Sequence, residues 1–153
     1  MIILSIDSGI EKTGYAVFDG KNYLTSALIK TAKTNSTEVR LEQIYSELKT
    51  VFAKYKPGAV VLERLFFFKN QKTAIGVAQT QGAALLLAGQ NKIKVHYLTP
   101  LQIKLAITGY GQADKKAVQK MIKLTTNIDI KQDDEADAVA CGLAFNLIRP
   151  NSA

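Results

Sequence analysis

The chain has 153 residues, of which 47% are hydrophobic, so it can form one globular domain and does not have the composition of a disordered protein. No apolar run approaches the roughly 18 residues that a membrane-spanning helix needs, and the N-terminal residues lack the features of a signal peptide. The single cysteine, Cys141, rules out an internal disulfide and a cysteine-built zinc site. We therefore expect one domain, residues 1–153, in the cytoplasm and away from membranes.

The charge is unevenly distributed along the chain. The net charge is +7, but five of the 13 acidic residues fall within positions 129–137, beside one base, Lys131. The remainder of the chain is therefore strongly basic. A basic body with one acidic region indicates a polyanionic partner and a local cation site, although lysines that only aid solubility would give the same net charge.

The first third of the chain is predicted to form three strands and a helix. Apolar and β-branched runs mark the strands, and Asp19-Gly20 is a hairpin signal between the second and the third. An apolar stripe at helical spacing follows a cap at Ser36 or Thr37. The predicted strands are 2–7, 15–18 and 23–29, and the helix runs from its cap to about residue 55.

The rest of the chain alternates strands with helices. Strand 59–62 has no polar alternation, which is typical of a strand buried on both faces. Thr99 and Pro100 supply an N-cap and a first-turn proline for a short helix. The remaining predicted elements are a helix at about 70–88, a strand at 93–98, the short helix ending near 109, a basic helix before 124 and a helix at about 133–148. This order predicts an α/β fold, a mixed five-stranded sheet flanked by helices on both faces.

Two predicted strands end in a carboxylate. Asp7 closes the first strand and Glu63 the fourth. Strands joined through right-handed crossovers can lie parallel, so both carboxylates would emerge at the sheet edge where open α/β sheets bind ligands. A charge at the end of an apolar strand is costly unless something pairs with it.

The last helix supplies two more carboxylates within QDDEADAVACGLAF. Asp134 and Asp137 share a helix face, whereas Asp133 suits the N-cap and Glu135 points away. Taken singly, such residues are ordinary turn, cap or dipole partners. Together with the two strand carboxylates they would suit hard cations such as Mg²⁺. Two such ions can activate water and stabilise the leaving oxygen in phosphodiester cleavage.

Four stretches, in this order, resemble the RuvC-type Holliday-junction resolvases, a family of crossover junction endodeoxyribonucleases in the RNase H-like superfamily. They are ILSIDSGIEKTGYAV, VVLERLFFFKN, GYGQADKKAVQKMI and DEADAVA, and the match covers almost the whole chain. Two departures are small. Ser8 stands where a proline is frequent, and Asp133 beside Asp134 makes a one-residue shift of the last motif conceivable, although the Asp-x-x-Asp spacing favours Asp134.

The resemblance implies an RNase H-like fold and roles for particular residues. The implied catalytic and metal-binding residues are Asp7, Glu63, Asp134 and Asp137. The implied DNA-binding residues are Phe66, Lys69, Asn70, Lys104 and Lys115. Of these, Phe66 matches an aromatic that stacks on a base near the junction centre, and the last two match lysines near the scissile phosphate.

The resemblance also implies partners and a cofactor. The family works as a symmetric homodimer that nicks two opposed strands of four-way junction DNA, leaving 5′-phosphates, and it is linked to a branch-migration motor. The implied cofactor is Mg²⁺, two ions per active site, replaceable by Mn²⁺.

Three phenylalanines follow the second strand carboxylate and lead into a basic segment. An exposed Phe66 can stack on an unpaired base, and Lys69 and Lys72 would meet phosphates. The alternative is that all three rings belong to the core, which we expect for Phe67 or Phe68.

Other features have structural as well as functional interpretations. Small residues on helix 70–88 make it the candidate dimer interface; they are Ala74, Ala78, Gly82 and Ala83. Lys115 begins the basic helix and suits a phosphate contact, although the lysines of that helix could be a solvated face. We expect His96 and Cys141 to be structural.

Three alternative functions remain open. One is another RNase H-like nuclease that acts on RNA or on RNA–DNA hybrids, and another is a junction-binding protein without catalysis. The third is a phosphate-transferring domain of the actin and sugar-kinase superfamily, whose phosphate loop also begins Asp-x-Gly, but that fold needs a second domain.

Overall fold

The structure is a computed structural model that describes residues 1–64 and 71–149. In chain order the elements are β1 Ile2–Asp7, β2 Lys12–Asp19, β3 Asn22–Lys30, α1 Thr37–Tyr55, β4 Ala59–Glu63, α2 Gln71–Gln90, β5 Lys94–Leu98, α3 Pro100–Thr108, α4 Lys115–Thr126 and α5 Asp133–Ile148. Each strand and helix predicted from the sequence is present, in the predicted order.

The strands form a five-stranded mixed sheet in the order β3-β2-β1-β4-β5. β1, β2 and β3 pair antiparallel as a meander, whereas β4 lies parallel to β1 and β5 parallel to β4. The predicted fold class is therefore confirmed. β2 starts at Lys12 rather than at residue 15, because its first residues pair with β3 from Lys12 opposite Lys30 even though they are not apolar.

Apolar cores cover both faces of the sheet. α1 and α2 pack on one face, and α3, α4 and α5 pack on the other. β4 contributes Val60 and Leu62 to the first core and Ala59 and Val61 to the second, which confirms that this strand is buried on both faces. Among the described residues, no helix is long and apolar enough to cross a membrane.

The short helix α3 begins as the sequence predicts. Thr99 is its N-cap, and Pro100 occupies its first turn. The Gln102 amide donates to Thr99 Oγ1 at 3.1 Å, and the Thr99 amide donates to Gln102 Oε1 at 2.9 Å, which completes a capping box. Gly109 ends the helix with a φ of 76°, a left-handed conformation that favours glycine.

The predicted N-cap of α5 is wrong by one residue. Gln132, with extended dihedrals, is the N-cap, and its carbonyl accepts the first helical hydrogen bond from the Ala136 amide. Asp133 is therefore already inside the helix. Its exposed carboxylate lies 3.5 Å from Lys115 Nζ instead of capping the helix.

Candidate active site

Asp7 and Glu63 emerge side by side at one edge of the sheet. β1 and β4 are parallel neighbours with Ile6 opposite Leu62, so the next residue of each strand is a carboxylate at the same edge. Both strands are buried up to that point, and both carboxylate residues are half-buried. The crossover connection between the strands therefore brings together two acids that are 56 residues apart in the sequence.

The first turn of α5 is pressed against the same edge. At Gly14, the β2 partner of Asp7, a Cβ atom would lie only 2.0 Å from the main-chain oxygen of Asp134, so only glycine allows this approach. One turn further on, Ser5 Oγ donates to the Ala138 carbonyl at 2.7 Å. These contacts hold the aspartates of α5 above the ends of β1 and β4.

The carboxylates interact strongly with one another. Burial, followed by the charges of Asp137, Glu63 and Asp134, raises the pKa of Asp7 to about 8, and a hydrogen bond with the Asp134 side chain adds to this. Burial also raises the pKa of Glu63, with the charge of Asp137 adding to the shift and that of Lys104 opposing it. The structure thus brings all four predicted carboxylates into one electrostatic cluster.

Two lysines face this carboxylate cluster from α3 and α4. Lys104 and Lys115 line a cavity of about 210 Å³ together with Glu63 and Asp137. Burial raises the pKa of Asp137, and the charge of Lys115 acts in the opposite direction. A negative group bound at the cluster would therefore meet positive charge on this side.

Sequence reasoning missed Gln81, which supports the end of β4. This α2 residue is only 8% exposed, and its Nε2 donates to the main-chain oxygen of Glu63 at 2.9 Å. The next residue, Arg64, donates its amide to the Leu98 carbonyl at 2.7 Å. The carbonyl and the amide of the peptide bond between Glu63 and Arg64 are therefore both held by hydrogen bonds. The feature of the sequence that could have indicated this role is a glutamine among the apolar and small residues of VAQTQGAALLLA.

The carboxylate cluster has the donor chemistry of a hard cation site. Within 1–64 and 71–149, no three His, Cys, Asp or Glu side chains form a group that could hold a metal ion as they stand. The side chains of the cluster nevertheless offer only carboxylate oxygens, which hard divalent cations prefer. Burial raises the pKa of Asp7 and repulsion from the neighbouring carboxylates adds to it, and a bound cation would relieve that repulsion. The residues therefore fit a hard divalent cation that draws the carboxylates together.

Several predicted DNA contacts lie outside the described residues, namely Phe66, Lys69 and Asn70, and so do Phe67 and Phe68. Lys72 is exposed at the start of α2 and lines a second cavity that contains Asp134. Cys141 is buried in the core, as expected. His96 packs on the ring of Phe145, with the ring centroids 4.8 Å apart.

One side of α2 presents apolar and small residues to solvent. Ile75 is 67% exposed and Leu86 is 54% exposed, and Ala78 and Gly82 are exposed between them at helical spacing. Of the four small residues singled out from the sequence, Ala74 is buried and Ala83 is half-buried, and neither belongs to this face. We call Ile75, Ala78, Gly82 and Leu86 the α2 face.

The sheet order, the antiparallel meander with two parallel strands and the carboxylates under the last helix define an RNase H-like α/β protein. The family profile described as crossover junction endodeoxyribonuclease RuvC matches residues 3–145. The chain belongs to this family.

Relatives and solved structures agree with this assignment. The chain is 39% identical over 154 residues to the crossover junction endodeoxyribonuclease RuvC of Caldicellulosiruptor saccharolyticus, which covers 96% of this chain and 93% of that protein. It is 43% identical over 146 residues to the Fusobacterium nucleatum protein of the same name, covering 92% and 77%. The structure of T. thermophilus RuvC in complex with a Holliday junction substrate superposes with a TM-score of 0.88 at 27% identity, covering 96% of this chain and 93% of that one.

Proposed function

We propose that this protein is a crossover junction endodeoxyribonuclease that resolves four-way DNA junctions by paired, symmetric nicks that leave 5′-phosphates. The observation that carries the proposal is the carboxylate cluster, in which burial and three neighbouring acids raise the pKa of Asp7 to about 8 in a member of the RuvC family. Such a cluster lowers the free energy of unfolding, and its function is to bind cations. We further propose that the chain acts as one nuclease domain in the cytoplasm.

In this proposal Asp7, Glu63, Asp134 and Asp137 hold divalent cations, Mg²⁺ with Mn²⁺ as a substitute. When bound, a pair of such ions would supply an activated water and charge stabilisation for the leaving oxygen. The chain itself fixes the carboxylates at the ends of β1 and β4 and on the first turns of α5. It also limits the access of water to the carboxylates, because the strands beneath them are buried.

The proposed DNA contacts surround the cluster. Lys104 and Lys115 would bind the scissile strand, which is supported by the cavity that they share with Glu63 and Asp137. Phe66 would stack on a base at the junction centre, with Lys69 and Asn70 beside it. The four-way junction in the complex of T. thermophilus RuvC supports this class of substrate.

We propose that the protein acts as a homodimer, associated with a branch-migration motor. Two cuts related by a two-fold axis need two sites, which an isologous dimer supplies. The exposed apolar α2 face supports this helix as the interface, because two copies of the same patch can pack against each other.

The test is cleavage of a labelled four-way junction in Mg²⁺, beside a linear duplex and an RNA–DNA hybrid of matching sequence. We expect paired nicks at symmetric positions in the junction only. The Asp7→Asn variant should lose more than about a hundredfold in rate, because even residues that only orient metal ligands commonly cost 10–100-fold. It should still bind the junction, since the cluster is then less negative.

Two outcomes would overturn the proposal in different ways. Cleavage of the hybrid instead of the junction would keep the fold and the site but change the substrate. Junction binding without cleavage in either metal would indicate a binding protein.

A further inference from the structure

A second cavity reaches the carboxylate cluster at Asp134 and shares no lining residue with the cavity that contains Lys104 and Lys115. Its volume is about 340 Å³, and it is lined by the turn between β1 and β2, by the first residues of α2 and by Asp134. It contains two lysines, Lys12 and Lys72. Two lysine-containing cavities therefore adjoin the carboxylate cluster, one at Glu63 and Asp137 and the other at Asp134.

The position of Lys12 follows from the strand geometry. Lys12 and Gly14 are two residues apart on β2, so their side chains share one face of the sheet. That face carries α5, since a Cβ on Gly14 would meet the main chain of Asp134. Lys12 therefore projects from the sheet on the side of the carboxylate cluster.

The turn that carries Lys12 is held in place by hydrogen bonds. Thr13 Oγ1 donates to the Gly9 carbonyl at 2.7 Å, and Thr31 Oγ1 donates to the Ile10 carbonyl. The first residues of α2 form the opposite wall of the cavity, and they pack against the same turn. A Cβ on Gly76 of α2 would lie 3.1 Å from Ile10 Cγ2. Because both walls are already held in place, a ligand that binds between them would lose little binding free energy to ordering the protein.

The charge of Lys12 is not used within the described part of the chain. Lys12 is half-buried, and no ion pair joins its ammonium group to a described carboxylate. The adjacent acid, Glu11, is paired instead with Lys33 at 3.4 Å. A half-buried ammonium group beside a cation-binding cluster is placed to meet an anion that spans both.

We propose that this cavity is a second phosphate subsite, in which Lys12, assisted by Lys72, binds a phosphodiester of the nicked strand next to the one held at the carboxylate cluster. The inference rests on the proposed nuclease function. The strand would cross the cluster between two lysine pairs, Lys104 and Lys115 on one side and Lys12 and Lys72 on the other. Holding phosphates on both sides of the cut fixes the position of the scissile bond.

The test combines charge removal on the protein with charge removal on the DNA. Affinity of the full chain for a labelled four-way junction is measured in EDTA, where metal-dependent cutting cannot occur, over a range of salt concentrations. Lys12→Met keeps the aliphatic stem and removes the charge. Lys21→Met, at an exposed lysine in the turn between β2 and β3, is the matched control. Thermal unfolding of both variants checks that the fold is retained.

For Lys12→Met we expect binding at least about fivefold weaker near 0.1 M salt and a salt slope smaller by about one per subunit. Lys21→Met should match the parent. Neutral methylphosphonate linkages placed one at a time around the cut should reveal one position that weakens binding by the parent but not by Lys12→Met. That coupling would identify the phosphate in the subsite.

The result that overturns the subsite is a Lys12→Met protein with the affinity and salt slope of the parent. Weaker binding that is equal at every neutral linkage would overturn it as well, because it would show a long-range charge effect. Failure of the parent protein itself to bind or cut the junction would instead refute the proposed function.

Discussion

The orientation of Glu63 depends on a residue that is not one of the four carboxylates of the cluster. Gln81 Nε2 donates to the Glu63 carbonyl, and the amide of Arg64 donates to Leu98 across the parallel pair. The guanidinium of Arg64 also lies over the Tyr97 ring, 5.3 Å from its centroid. These contacts fix the strand end just where the chain leaves the sheet.

We predict that Gln81→Met weakens metal binding about 10–100-fold, as loss of groups that orient metal ligands commonly does. Methionine has a similar length but no donor, so the Glu63 carbonyl would lose its partner and the strand end could rotate. Calorimetric titration with Mn²⁺ measures this without relying on activity. Gln79→Met, at an exposed position of the same helix, is the control. An unchanged Mn²⁺ titration for Gln81→Met would show that the hydrogen bond is only structural.

At the scale of elements, the site depends on how closely α5 approaches the sheet. β1, β2 and α5 meet through small residues, with Gly14 beneath the first turn and Ala138, which accepts from Ser5 Oγ, one turn later. A helix held further from the sheet would carry the same aspartates away from Asp7.

Gly14→Ala should therefore damage both stability and cleavage. The added Cβ would overlap the Asp134 main chain, so the start of α5 must shift, and overpacking of this kind typically costs about 1–3 kcal/mol of unfolding free energy. Gly89→Ala is the contrast, because a Cβ there meets nothing within 4 Å and alanine favours a helix by about 0.5–1 kcal/mol. Chemical denaturation and junction cleavage measure the two effects. A Gly14→Ala protein as stable and active as the parent would contradict the close packing.

The same elements show what the sequence could and could not predict. The strand ends at Asp7 and Glu63 were predictable, because buried strands appear as apolar runs and crossover rules set their direction. The start of β2 was not, since pairing with β3 rather than hydrophobicity decides it. The contact of Gln81 with Glu63 depends on the rotation of α2, which is apolar on more than one side and so leaves its orientation undetermined by pattern.

At the scale of the whole molecule, the carboxylate cluster should make the unfolding free energy depend on pH and on bound metal. Asp7 has a pKa of about 8 when folded against an ordinary value of 3.8, so between these values the folded protein keeps a proton that the unfolded chain releases. The unfolding free energy of the metal-free protein should therefore fall as pH rises from about 4 to 8. The raised pKa values of Glu63 and Asp137 act in the same direction.

Mg²⁺ should reverse this trend, because cations bind the deprotonated carboxylates and stabilise the folded state by mass action. We expect the rise in Tm on adding Mg²⁺ to be larger at pH 8 than at pH 5.5. Scanning calorimetry with and without EDTA measures it. Asp7→Asn should flatten the metal-free pH dependence. Equal Mg²⁺ stabilisation at both pH values would exclude the cluster as the metal site.

In the proposed homodimer, the α2 face would bring two such sites to one junction. Leu86 lies in the second half of α2 and is 54% exposed, so a charge there would be buried in an interface formed by two copies of this face. We predict that Leu86→Asp is monomeric at concentrations where the parent is dimeric, as measured by analytical ultracentrifugation. Leu147→Asp is the control, since Leu147 is 60% exposed near the far end of α5.

A monomer with an intact carboxylate cluster should still nick a junction, but the two nicks should become independent events. A junction carried on a supercoiled plasmid distinguishes these cases, because a single nick relaxes the plasmid whereas paired nicks within one binding event linearise it. The parent and Leu147→Asp should give linear product directly, and Leu86→Asp should accumulate the nicked circle first. A Leu86→Asp protein that remains dimeric and linearises the plasmid directly would place the interface elsewhere on the molecule.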